Sequence, residues 1–306
     1  MTALVVLVVM TFLAALVHLI PGDPVTTILG ARADPELSEI VRHEMQLDLS
    51  VPQQIVNYVT GVLQGDLGVD FVSDVAVTQL VFDALPHTIA LAVASLLLSV
   101  TVGVPLGVYA ATRPNTLIDR ITGVLAVSCI TIPSYVAGLF LVLLFSVRFR
   151  VLPAIGAGEF SDPLDYLRHL VLPSVALAIT WIGYFARLVR ASMLEVLNAN
   201  YIRTAHAFGL RERAIFYRYA LKNAIIPTIA VLGVGLGTLM GGAIFVEVIF
   251  ARTGLGTLIY DSIQARNYPI VRGGVLVVAV LFVLANLVAD LSYRFLDPRI
   301  RAEQGL

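Results

Sequence analysis

A chain of 306 residues that is 58% hydrophobic and only 13% charged lies far from soluble globular domains, in which about a quarter of residues carry charge. Apolar runs of roughly 18 residues or more recur along it, which excludes a purely aqueous fold and points to a helical protein that crosses the membrane several times. The net charge of −1 hides strong local asymmetry, and the single cysteine, Cys129, excludes an intrachain disulfide and any multi-cysteine metal site.

Residues 4–20 form the first apolar run. A signal peptide is the competing reading, but the basic leader is missing and Pro21-Gly22-Asp23-Pro24 stands where small cleavage-site residues belong. The run is therefore read as a first spanning helix. Residues 21–86 are polar and acidic, with Asp23, Asp34, Glu36, Glu39, Glu44, Asp48, Asp66, Asp70, Asp74 and Asp83 against Arg32 and Arg42, which puts them outside the cell membrane. Asp34-Pro35 reads as a helix start, with the acid as cap and proline at the first helical position. Leu37, Ile40, Val41 and Glu44 continue it as a short amphipathic helix. Val75, Leu80, Val81 and Leu85 suggest a second helix leading into the membrane. A solvated lid and a binding surface are both open readings of this interval.

The second span is predicted over 87–111, where Gly103 and Gly107 share a face that permits close helix approach. Pro105 is expected to kink it. Residues 113–120, with Arg113 and Arg120, are a short cytoplasmic connection. The third span is predicted over 121–147 with Pro133 inside it, and the fourth over 170–188. The outer connection between them, 148–169, is mixed in charge. Arg187 and Arg190 fit a helix end reaching the cytoplasm.

A basic interval follows, with Arg203, Arg211, Arg213, Arg218 and Lys222 against Glu212. It is too long for a turn. Residues 195–208 and 211–223 contain no breaker, so two short helices hinged at Gly209 are expected. Ile215, Phe216, Tyr219 and Lys222 would share one face of the second helix. The apolar residues near the hinge either insert into another protein, or Phe208, Phe216 and Tyr217 pack beneath the loop or sit at the lipid interface. The fifth span, 224–246, carries Gly233, Gly237 and Gly241 at a spacing of four, with Gly235 and Gly242 nearby. Such a face serves close packing, and it also leaves room for a solute path. Residues 247–272 form an outer loop, and 273–296 the last span, with Asn286 and Asp290. Six spans with basic even-numbered connections place both termini in the cytoplasm.

Much chemistry is absent. The one lysine, Lys222, has no glycine-rich lead, so there is no phosphate-binding loop. There is also no H-E-x-x-H, no G-x-S-x-G and no cluster at metal spacing. The five histidines are scattered. Asp290 and Arg187 are the notable intramembrane charges, too few for a typical proton relay. A protein that moves solute without its own energy source either borrows one from a partner or acts as a passive channel.

Six short motifs then carry a resemblance that covers nearly the whole chain. They are His18-Leu19-Ile20-Pro21-Gly22-Asp23-Pro24, Gly65-Asp66-Leu67-Gly68, Arg203-Thr204-Ala205-His206-Ala207-Phe208-Gly209-Leu210, Gly254-Leu255-Gly256, Ala265-Arg266-Asn267-Tyr268-Pro269 and Leu296-Asp297-Pro298-Arg299. In this order the chain resembles the membrane-spanning permease of bacterial ABC importers, in the dipeptide/oligopeptide/nickel branch. The resemblance implies an all-α polytopic membrane protein with the type I importer permease fold and six transmembrane helices. It implies a non-catalytic transport subunit in the bacterial inner membrane, forming half of a translocation path for peptides or a related small solute such as nickel or haem.

The partners implied are a second homologous permease, one or two ATP-binding subunits that hold the ATP and magnesium, an extracytoplasmic solute-binding protein and membrane lipid, with no nucleic acid. Arg203, Thr204, Ala205, Ala207, Phe208, Gly209 and Leu210 would couple to the ATPase, since this stretch is similar to the family's "EAA" signature. The domain plan is 1–20 as first helix, 21–86 as extracytoplasmic loop, 87–296 as a five-helix core with the coupling loop at 190–223, and 297–306 as cytoplasmic tail. Thr131, Ser134, Gly233, Gly237 and Gly241 are candidates for the translocation path. Three departures stand out: no basic residues precede the first span, Phe208 replaces a charged residue, and Thr253 stands where proline is common. A passive channel or secondary carrier, and a membrane scaffold without transport, are the alternatives.

Overall fold

The computed structural model describes residues 2–19, 25, 34–44, 47–70 and 73–296. Those residues are almost entirely helical, with one isolated antiparallel bridge between Val69 and Ala76. They divide into two compact units, residues 1–88 with 252–283, and residues 89–251 with 284–306. Residues 20–24 of the motif that starts at His18, the Asp297-Pro298-Arg299 motif and the Asp290 side chain lie outside what is described.

In the first unit, α1 (Thr2–Leu19) is apolar along nearly its whole length, with Thr2, Thr11 and His18 as its polar residues. Helix α2 (Pro35–Glu44) starts where the sequence predicts, with the Asp34 carboxylate accepting from the Glu36 amide at 3.2 Å. Helix α3 (Val51–Leu63) is a finding that the hydropathy pattern did not yield. Its signal was local: Pro52 in the first turn, and Ser50 followed three residues later by Gln53, whose side chain accepts from the Ser50 amide at 3.2 Å. Helix α4 (Val77–Ala111), whose residues from Ile89 onward belong to the second unit, begins ten residues before the predicted span and absorbs the separate helix expected around Val81. Pro86 and Pro105 lie inside it without interrupting it.

Helices α11 (Leu255–Gln264) and α12 (Tyr268–Leu296) occupy much of the predicted outer loop and the last span. The core of this unit gathers Met10, Leu13, Leu67, Val77, Val81, Leu255, Ile270 and Leu276. Three of the sequence motifs meet here. Gly65 and Gly68 turn the chain at φ +83° and +95°, and the Asp66 carboxylate accepts from the Gly68 amide at 2.8 Å. Leu255 is buried in the core, and Asn267 donates its side-chain amide to the Asp70 carboxylate. These motifs build the first unit's packing.

In the second unit, α5 (Leu117–Thr131) and α6 (Ser134–Leu141, running on as a π-helical turn to Arg148) correspond to the predicted third span. That span is not one straight helix. The two halves are bent by 101° at Ile132-Pro133, because proline disfavours helical geometry at the residue before it and supplies no amide to the preceding turn. Helix α7 (Pro163–Leu197) is longer than the predicted fourth span at both ends, and Asp162 caps it by accepting from the Leu164 and Asp165 amides at 3.0 and 3.2 Å.

Helices α8 (Asn200–Ala207) and α9 (212–224) follow, and α10 (Ile226–Ile249) is the fifth predicted span. Among the described residues, four single helices are long and apolar enough to cross a membrane, and the bent pair supplies a fifth crossing if it counts as one.

Glycine sets how closely these helices pack. A Cβ on Gly103 would lie 2.8 Å from the Ile182 carbonyl, and one on Gly107 would lie 2.6 Å from that of Ala186, so α4 meets α7 backbone to backbone as predicted. In lipid no hydrophobic force drives helices together, and this proximity is what makes dispersion contacts effective. On α10, Gly233 meets Ala285 and Ala289 of α12, and Gly235 meets the Trp181 ring, whereas Gly241 faces open space.

Candidate functional site

The basic interval 200–224 folds as two helical pieces joined at Gly209, whose φ of +71° is the left-handed conformation expected of a glycine hinge. The first piece differs from expectation. Residues 195–208 are not continuous: α7 runs to Leu197, and the chain breaks at Asn198-Ala199 before α8 starts. Asparagine competes for local backbone hydrogen bonds, and the Asn198 side chain donates to the Leu194 carbonyl at 2.9 Å.

In α9 the predicted face also differs. Residues 215–220 form a π-helical turn, so the buried positions are Ile215, Ala220 and Ala224, at spacings of five and four. Tyr219 and Lys222, placed on that face by a regular 3.6 period, are turned away from it, and both are exposed. The extra residue per turn brings two alanines under the helix and turns the longer side chains outward.

The element is anchored from one side and open on the other. Ile202, Ala205, Ile215, Ala220 and Ala224 join Val104, Val108 and Ala111 of α4, with Val189 and Met193 of α7, in one buried cluster. Each buried isoleucine contributes roughly 1.5–3 kcal/mol if this surface would otherwise meet water. The Asn223 side chain donates to the Tyr201 hydroxyl at 2.8 Å and ties the two pieces together.

Facing outward are Arg203, Thr204, Ala207, Phe208, Gly209 and Leu210, with Phe208 81% exposed and Tyr217 60% exposed. Of the seven coupling candidates, only Ala205 is turned inward. A Phe side chain held this far out on a glycine hinge, next to arginines, is a solvent-facing apolar residue and no part of the core.

The proposed path residues do not form a single surface. Thr131 and Ser134 flank the α5–α6 break, where the Ile132 carbonyl accepts from Thr180 of α7 at 3.4 Å. Gly233 is sealed against α12 and Gly237 is buried, whereas Gly241 is exposed and open.

One feature escaped sequence reasoning. Asp119, in the first turn of α5, is buried, and Arg190 of α7 donates to both its oxygens at 2.5 and 2.8 Å. The available signal was an acid and a base of different spans at ends assigned to the same side of the membrane. Arg187, counted above as an intramembrane charge, is exposed and lines a cavity beside this pair.

Comparison with known proteins agrees with this geometry. The model of the family "Binding-protein-dependent transport system inner membrane component" matches residues 103–302, and that of its N-terminal part matches residues 1–92. The probable peptide ABC transporter permease protein y4tP of Sinorhizobium fredii is 37% identical, covering 98% of this chain and 96% of that protein. The glutathione transport system permease protein GsiC of Pectobacterium atrosepticum is 38% identical over 96% of this chain and 94% of that protein. The dipeptide transport system permease protein DppB of Escherichia coli K12 is 36% identical over 94% of this chain and 92% of that protein.

Among solved structures, an inward-facing form of the MetNI methionine ABC transporter shares the fold. Its TM-score is 0.57 at 20% identity, over 72% of this chain and 97% of that one. The chain therefore belongs to the family of binding-protein-dependent transport system inner membrane components, the multi-pass permeases of the bacterial inner membrane.

Proposed function

We propose that this chain forms half of the translocation pathway of an ABC importer for peptides or a related small solute, and that α8, Gly209 and α9 dock onto a separate ATP-binding subunit. The observation that carries the reading is the two-sided build of this element. Phe208, Leu210 and Tyr217 are held outward, while Ile202, Ala205, Ile215, Ala220 and Ala224 are locked to α4 and α7. A displacement of the tip is carried into two long apolar helices through packed side chains, which behave as a stiff connection. The peptide class is supported by the names of the relatives described above.

In this reading the chain crosses the membrane six times, counting α1 and the bent α5–α6 pair once each, with both termini in the cytoplasm. Residues 21–86 are extracytoplasmic, 87–296 hold the remaining five spans with the coupling loop at 190–223, and 297–306 form the cytoplasmic tail. A second homologous permease completes the pathway, one or two partner ATPases bind ATP and magnesium, and a solute-binding protein delivers cargo outside. Arg203, Thr204, Ala205, Ala207, Phe208, Gly209 and Leu210 form the coupling surface. Thr131, Ser134 and Gly241 belong to the solute path, with Gly233 and Gly237 behind it as packing.

The test is isolation of the intact complex from its native membrane in mild detergent, from wild type and from Ala207→Glu and Gly209→Val. An ATP-binding subunit and a second permease should accompany the wild type, and the ATPase should be lost from both variants while the chain remains in the membrane. Solute flux through vesicles holding this chain alone, without ATP, would replace this reading with a passive channel or carrier.

A further inference from the structure

A cavity of about 450 Å³ opens between the start of α5 and the last third of α7. Its polar end carries Asp119, Arg120, Arg187 and Arg190, and its wall continues along Gly123, Ala126 and Val127. The single acid is already committed, since Asp119 accepts both donors of Arg190 and the Asn115 amide at 2.9 Å. Among the described residues, Arg120 and Arg187 form no ion pair of their own. The lining thus has a surplus of two positive charges beside an apolar wall, at the depth where a polar connection meets a span.

Two arginines that merely faced water would leave the shape of the wall without a role. From Arg120 to Val127 the helix rises roughly 10 Å. That is about the span from a phosphate group to the first carbons of an acyl chain. Beside the wall, Val124 and Leu125 of α5 are exposed. A Cβ on Gly123 would meet nothing within 4 Å, so the groove beside it is open. The volume is that of a small-ligand site.

We propose that this cavity binds a phosphate group carried by an anionic phospholipid. Arg120 and Arg187 engage the phosphate oxygens, the Asp119–Arg190 pair fixes the polar end, and the acyl chain lies along Gly123, Ala126 and Val127. The lipid would then hold α5 against α7 at the end from which the α8–α9 element departs. Lipid binding here depends on neither the substrate nor the ATPase partner, and its retention is read without any transport assay.

The experiment uses the complex in detergent, exchanged into nanodiscs of phosphatidylcholine with or without phosphatidylglycerol, with retained lipid quantified by native mass spectrometry. Phosphatidylglycerol should be retained in preference to phosphatidylcholine. Each of Arg120→Gln and Arg187→Gln should weaken retention about five-fold. Gly123→Leu, which fills the groove and leaves every charge in place, should weaken it as well. Melting temperatures equal to wild type establish that the variants are folded. Unchanged retention in folded variants, or equal retention of the two lipids, overturns the proposal. Displacement of the lipid by inorganic phosphate or by a free dipeptide at low concentration also overturns it, by assigning the cavity to a soluble anion.

Discussion

Asp119 and Arg190 join α5 to α7 by two parallel hydrogen bonds of 2.5 and 2.8 Å, with the carboxylate buried and the arginine side chain 34% exposed. Next to lipid an isolated charge is costly, so each partner makes the other tolerable. Asp119→Asn should lower stability by about 2 kcal/mol, less than the roughly 3–5 kcal/mol seen for fully enclosed pairs because Arg190 keeps contact with water. Thermal unfolding in detergent reads this directly. The double variant Asp119→Asn/Arg190→Gln should recover part of the loss, and strict additivity would mean the two residues act independently.

The α4–α7 seam predicts a contrast between glycines. At Gly107 a Cβ would lie 2.6 Å from the Ala186 carbonyl oxygen and 2.9 Å from the Val189 Cβ, whereas at Gly241 it would meet nothing. Gly107→Ala should cost about 1–3 kcal/mol through overpacking against backbone that has nowhere to move. Gly241→Ala should leave the melting temperature unchanged or raise it slightly. Equal effects at the two sites would mean the seam is looser than its geometry.

Phe208 is 81% exposed and outside the buried cluster. Phe208→Asp should therefore change the stability of the chain by no more than about 0.5 kcal/mol. It should weaken association with the ATP-binding subunit by about 2 kcal/mol or more, the behaviour of an aromatic anchor. Quantitative co-purification measures the second effect, and a large drop in melting temperature would show Phe208 to be structural.

Tyr58 gives a pH prediction for the first unit. Burial pushes its hydroxyl up to about 12, against the opposing pull of the Arg272 guanidinium over its ring. The folded protein then holds a proton that the unfolded chain releases near pH 10, so stability from this group is complete below about pH 10 and is lost as pH rises toward 12. Spectrophotometric titration should find a tyrosine that ionises near pH 12 and is missing from Tyr58→Phe, and the same variant should flatten the alkaline fall in stability. An unchanged alkaline profile would show that other groups govern it.

The amino-acid order by itself determined the class of protein and the place of the basic two-helix element hinged at Gly209. Apolar runs of span length, the charges between them and a glycine amid basic residues are local facts, and local facts are what sequence periodicity encodes. The α2 start at Asp34-Pro35 and the Gly103/Gly107 face were legible for the same reason: a cap and a spacing of four act within one helix.

What only tertiary structure decided depends on partners distant in the chain. Asp119 and Arg190 are 71 residues apart, and nothing near either one names the other. The bend at Pro133 has a local cause, but its angle of 101° does not follow from proline alone. The π-helical turn at 215–220 moves burial from Tyr219 to Ala220, because the cluster under α9 accepts a methyl group there and the tyrosine is left outside it. Hydropathy counts how much of a helix is apolar. Which residues face inward is settled by the surface each helix has to meet.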